Sequence, residues 1–171
     1  MSTVSVDRYD IDLLMALQRD GRATNSALGE QVHLSASQVS RRIQRLEETE
    51  VISHYVAVLK PEVIGLGVMA FTHLTLERQS EQGARFEQAI ADIPEVLECL
   101  SVTGEADYIL RIAVPDLASL SDFMTRCLLR LPGVANVKST VTLKTIKQTF
   151  CLPLEHIKRP EQVKRQITFA S

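Results

Sequence analysis

The spacing of apolar residues changes character around residues 59–65, and that change limits the fold more than any other feature of the chain. From Asp7 to Leu59, apolar side chains recur at helical spacing in three short runs separated by tight breaks. From Gly65 onward, strand-like and helix-like runs alternate. A chain of 171 residues patterned this way predicts two small units, helical first and mixed α+β second. We place the first at 1–60 and the second at 61–171, because Lys60-Pro61 turns the backbone away from helix and Gly65-Leu66-Gly67 loosens it. With 45% apolar residues, 23% charged, 7 Gly and 6 Pro, the chain has core material and no low-complexity stretch.

Several function classes are disfavoured at once. No apolar run approaches the roughly 18 residues of a membrane span, and the N-terminal stretch is acidic and polar, so a cytoplasmic, membrane-free protein is expected. Cys99, Cys127 and Cys151 are odd in number and scattered, as reduced thiols are. His33, His54, His73 and His156 each stand without a partner at metal-ligand spacing, so neither a metal nor a cofactor is expected. No nucleophile–base pair or phosphate-cradling loop argues for an enzyme. A formal charge of −2 means that any nucleic-acid contact has to come from a local basic patch.

The three helical runs supply such a patch. Asp7 with Asp10 caps the first, Ile11, Leu14 and Leu17 form its apolar stripe, and Gly21 suits its C-terminal end. Thr24 caps the second, where Leu28 and Val32 share a face and Gly29 permits close approach of a neighbouring helix. The third opens on a capping box, Ser35 with Gln38, and buries Val39, Ile43 and Leu46. The helical step then turns Ser37, Gln38, Ser40, Arg41, Arg42, Gln44 and Arg45 outward, with no acid before Glu47. A β-branched run, Val51 to Leu59, predicts a strand after it. This is the layout of a winged helix-turn-helix, whose third helix enters the major groove of duplex DNA. Arginine can bond guanine and Gln38 adenine, while the hydroxyls of Ser35, Ser37 and Ser40 suit phosphates. The plainer alternative is a solvated face whose arginines pair with Glu47 or Glu48.

The remaining chain reads βαββαβ, the ferredoxin-like arrangement of a four-stranded antiparallel sheet with helices on one face. The strands are placed at Gly67–Glu77, Val96–Val102, Tyr108–Val114 and Val134–Ile146. One helix carries Phe86, Ala89, Ile90 and Ile93; the other carries Leu117, Leu120, Met124, Cys127, Leu128 and Leu131. The uncovered sheet face, with Phe71, Val141 and Leu143, calls for a partner, and a head that reads palindromic half-sites calls for a two-fold axis. A homodimer follows.

The stretch Leu34-Ser35-Ala36-Ser37-Gln38-Val39-Ser40-Arg41-Arg42-Ile43-Gln44-Arg45-Leu46-Glu47 resembles the recognition helix of the Lrp/AsnC, or feast/famine, transcriptional regulators. The resemblance runs on through Ile52 to Leu59 and over nearly all of the chain. It departs at His33 and Glu50, where the family usually has glycine. Val102-Thr103-Gly104-Glu105-Ala106-Asp107-Tyr108 resembles the family's signature loop; Leu131-Pro132-Gly133-Val134 and Thr140-Val141-Thr142 match further stretches.

The resemblance implies a sequence-specific regulator, assembling from dimers toward tetramers or octamers, with a small-molecule effector, usually an amino acid, held between subunits near that loop. Gly104 would let backbone amides meet a carboxylate, Asp107 would accept from an ammonium, and Thr140 and Thr142 would offer hydroxyls. Glu105, Ala106 and Tyr108 come with the loop, and Ser101 and Leu117 would line a side-chain pocket. Gly104 and Asp107 equally suit an ordinary hairpin turn. The competing function is an architectural, nucleoid-type protein that coats DNA with little sequence choice and no effector.

Overall fold

The computed structural model describes residues 3–77, 82–157 and 165–168. In chain order they form β1 (Thr3–Val6), α1 (Arg8–Arg19), α2 (Asn25–Val32), α3 (Ala36–Glu48), β2 (Val68–Leu76), α4 (Gln82–Ala91), β3 (Val96–Ser101), β4 (Tyr108–Val114), α5 (Leu117–Arg126), β5 (Val134–Val141) and β6 (Arg165–Thr168). Two compact units result, one of residues 58–146 and one of residues 1–57 together with 147–171. The division thus differs from the 1–60 and 61–171 expected, because the end of the chain returns to the first unit.

In that unit α1, α2 and α3 enclose Leu13, Leu28, Val32 and Val39, with Ile43 packed against them. Asp7 caps α1 in a reciprocal box with Asp10, and Thr24 accepts from the Ala27 amide at the start of α2. The C-cap of α1 is Asp20 in an extended conformation, so Gly21 is not needed in left-handed form. Gly29 answers a steric demand: a Cβ there would lie 2.4 Å from the Leu34 carbonyl oxygen. Val51–Leu59 forms no strand, since strand propensity without a neighbouring ladder does not hold one. The ribbon in this unit is instead antiparallel β1–β6, built from the two ends of the chain.

The second unit carries the sheet in the order β3-β4-β2-β5, all neighbours antiparallel, which is the ferredoxin-like arrangement. Its core holds Ala70, Leu74, Phe86, Ile90, Leu110, Ile112, Leu120 and Leu128. The alternate residues of β2 point the other way, so Phe71 beside Thr140 and His73 beside Lys138 lie on the face away from the core. Val141, expected on that open face, pairs with Ala70 and packs against the core instead. β5 stops at Val141, short of the Ile146 expected, and Leu143 beyond it is 98% exposed. Leu117 opens α5 but is exposed and off the apolar stripe, while Leu128 belongs to a short 3-10 turn that follows the helix.

Candidate DNA interface and ligand site

The turn that presents α3 is held locally. His33 at the end of α2 adopts φ 59°, and the Leu34 amide donates to the Gly29 carbonyl at 2.9 Å. Ser35 Oγ then accepts from the Gln38 amide at 3.3 Å, while Gln38 Oε1 accepts from the Ser35 amide at 3.0 Å. The capping box is formed, and the Gln38 carbonyl oxygen is thereby engaged before any DNA arrives. Ser37, Ser40, Arg41 and Gln44 are exposed along the outer face. Gln44 donates to Glu48 at 2.8 Å, and Arg41 has no hydrogen-bond or ion-pair partner among the described residues.

Arg42 and Arg45 do not share that freedom, and here the expected acid-free face is corrected. Arg42 Nη1 donates to Asp7 Oδ2 at 2.8 Å and to Asp10 Oδ1 at 2.7 Å, and its guanidinium lies 5.4 Å from the Tyr9 ring centroid. Arg45 donates to Asp10 Oδ2 and, at 3.2 Å, to the Ser5 carbonyl. The Asp10 side chain is fully buried beneath these contacts. Three residues past Val39, the helical step places Arg42 on the flank of the apolar seam, facing α1, and not on the outer face. Partial burial works against the charged forms of both Asp7 and Arg42, yet the Asp10 amide and Arg42 prevail at Asp7, and the carboxylates of Asp10 and Asp7 prevail at Arg42. Asp7 is held below the ordinary carboxylate range and Arg42 above that of a free guanidinium.

In the second unit, a depression of about 890 Å³ lies on the open sheet face. Ser101, Glu105, Ala106 and Thr140 of the expected set line it with Val102 and Thr103 of the same loop, together with His73, Thr75, Ile109, Asn136 and Lys138, which the sequence did not offer as ligand contacts. Strand alternation could have supplied His73 and Thr75, which share a face with Phe71.

Gly104 sits at φ +124°, a conformation that favours glycine, but is not among the lining residues. Asp107 ties the β3–β4 turn to β2: its carboxylate accepts from the Leu76 amide at 2.7 Å, and its own amide donates to the Leu74 carbonyl at 2.9 Å. Tyr108 is buried on the core side, where its hydroxyl donates to Glu87 at 2.7 Å; that bond, with burial, pushes its pKa up to about 12. Leu117 and Thr142 do not line the depression. Among the described residues, no group of three His, Cys, Asp or Glu could hold a metal ion.

Residues 6–47 match the model of the AsnC-type helix-turn-helix domain, and residues 69–152 match that of the Lrp/AsnC ligand binding domain. The chain belongs to the Lrp/AsnC family. It is 41% identical over 150 residues to the Bkd operon transcriptional regulator of Pseudomonas aeruginosa, covering 87% of this chain and 98% of that one. It is 36% identical over 151 residues to the DNA-binding transcriptional activator DecR of Escherichia coli, covering 88% and 99%. A transcriptional regulator from Neisseria meningitidis, solved in complex with L-Met, superposes with a TM-score of 0.87 at 38% identity, covering 89% and 99%. Like these Lrp/AsnC relatives, the chain is a DNA-binding transcriptional regulator with a ligand-binding domain. Neither family match extends past Leu152.

Proposed function

We propose that this Lrp/AsnC protein is a cytoplasmic, non-enzymatic regulator whose homodimer reads a palindromic operator, assembles further into tetramers or octamers, and answers to an amino acid. The observation that carries the reading is the sorting of the α3 arginines. Arg42 and Arg45 are bound to α1, which leaves Arg41 to project beside Ser37, Ser40 and Gln44. Arg41 is then the base-reading guanidinium, the two serines approach phosphates, and Arg42 and Arg45 keep the helix in place.

Arg41→Ala should weaken operator binding by about 1–3 kcal/mol and relax sequence preference while leaving the melting temperature unchanged. Arg42→Ala should instead lower the melting temperature. Fluorescence anisotropy on a duplex from the protein's own upstream region, against a scrambled duplex, checks both. Wild-type discrimination by Arg41→Ala would overturn the assignment, and a wild-type chain that fails to discriminate would favour the architectural reading.

The depression supports the effector reading through its charges. Lys138 and His73 suit a carboxylate, Glu105 suits an α-ammonium, and Val102 and Ile109 provide an apolar wall for a side chain. Phe71 and Leu100 lie exposed on the same face, where a second copy would cover them. Calorimetry with each of the twenty amino acids should find at least one that binds the wild type and not Lys138→Ala; no heat with any would refute the effector.

A further inference from the structure

We infer that β6, which lies beyond both family matches, is a positioning element for the recognition helix: a strap that holds β1 and, through β1, sets how α3 meets DNA. The proposal rests on the reading of α3 as the DNA-reading helix. β6 runs antiparallel along the whole of β1, from Thr3 opposite Thr168 to Val6 opposite Arg165. A four-residue strand has backbone donors and acceptors that need a ladder, and β6 supplies the one strand partner β1 has among the described residues.

The far end of β1 is where α3 is held. The Ser5 carbonyl accepts from Arg45 Nη1 at 3.2 Å. Val6 is buried against Leu46. Asp7, the next residue, caps α1 and accepts from Arg42 Nη1 at 2.8 Å. Three consecutive residues therefore grip the inner flank of α3 at Arg42, Arg45 and Leu46, and fix its rotation about its own axis. That rotation decides where Ser37, Ser40, Arg41 and Gln44 point, and side chains that recognise a partner must be held within roughly 0.5 Å and 10–20° of productive geometry. Contacts to phosphates tolerate more.

The test compares the full chain with a chain ended after Ile157 and with full-length Gln166→Pro/Ile167→Pro. Successive amides of a strand point to opposite sides, so one of the two prolines removes a donor facing β1 whatever the phase of the ladder. Binding is read on the upstream duplex and on its scrambled counterpart, together with amide hydrogen exchange. In both variants, affinity for the upstream duplex should fall by roughly 2- to 30-fold, the range for changes that modulate binding without touching the ligand. Affinity for the scrambled duplex should hold, and exchange should quicken across residues 5–10 and 36–45 but not across β2 and β4. A wild-type ratio of the two affinities in the double-proline variant would overturn the strap, even if the shortened chain fails to fold. If the full chain does not discriminate, base reading by α3 falls, and unchanged exchange over 36–45 would still refute the strap by itself.

Discussion

His33 and Glu50 occupy left-handed backbone at φ 59° and 57°, the two described non-glycine residues that do so. Both flank α3: His33 turns the chain into it, and Glu50 turns the chain out. These are the two places where the sequence departs from the pattern that it otherwise resembles. A side chain there costs on the order of 1 kcal/mol, so His33→Gly and Glu50→Gly should each stabilise the first unit by about that amount in urea unfolding. Asp10 presents the opposite case. Its carboxylate is fully buried and holds two guanidiniums. Breaking a fully buried pair costs roughly 3–5 kcal/mol, but Arg42 and Arg45 are partly exposed and can rehydrate, so Asp10→Ala should cost about 2 kcal/mol by the same measurement. The glycine departures were visible in the sequence because their demand is local. The Asp10 pairing was not, because its partners lie more than thirty residues along the chain and only the packing of α1 on α3 brings them together.

At the scale of elements, legibility followed burial. β4 was read to the residue, and Phe86, Ala89 and Ile90 fall in α4 as expected, because a buried face imposes a period on the sequence; α5 was carried past its end at Arg126, to Leu131. Val51–Leu59 and the end of β5 were over-read, since β-branched composition does not reveal whether a neighbouring strand exists to pair with. The depression on the open sheet face was half legible for the same reason. Its loop residues form a contiguous motif, whereas His73, Asn136 and Lys138 come from strands whose adjacency is a matter of topology. The α2–α3 turn was the most transparent element, and Gly29 tests it. Gly29→Ala would set a methyl 2.4 Å from a backbone oxygen that cannot swing away, so the turn must open. The overpacking cost is about 1–3 kcal/mol, and the displaced α3 should lose operator affinity in parallel with the drop in melting temperature.

At the scale of the whole molecule, the two units rest on different physics, and acid should separate them. The second unit is held by an apolar core under its sheet, which protonation leaves intact. The first couples its small cores through Asp7, Asp10, Arg42 and Arg45. Burial tends to raise the Asp7 pKa, but the Asp10 amide and Arg42 depress it below the ordinary 3.8. A carboxylate whose folded pKa is depressed contributes stability that is complete above its unfolded value and disappears as pH falls through the folded one. From pH 7 down to about 4, this contribution is constant; below about 4, it is lost, and the second unit loses only the charged cap of α5 at Asp116, whose carboxyl the Ser119 amide holds below the ordinary range. Urea unfolding resolved by hydrogen exchange should therefore show α1 and α3 losing protection below pH 4 while β2 and β4 keep theirs. Asp7→Asn should be less stable than the wild type at neutral pH and should converge with it in acid, because the variant has no carboxylate left to protonate. A constant gap between the two from pH 7 to pH 2 would mean that the charge of the Asp7 carboxylate adds nothing, either at the Asp10 amide or at Arg42.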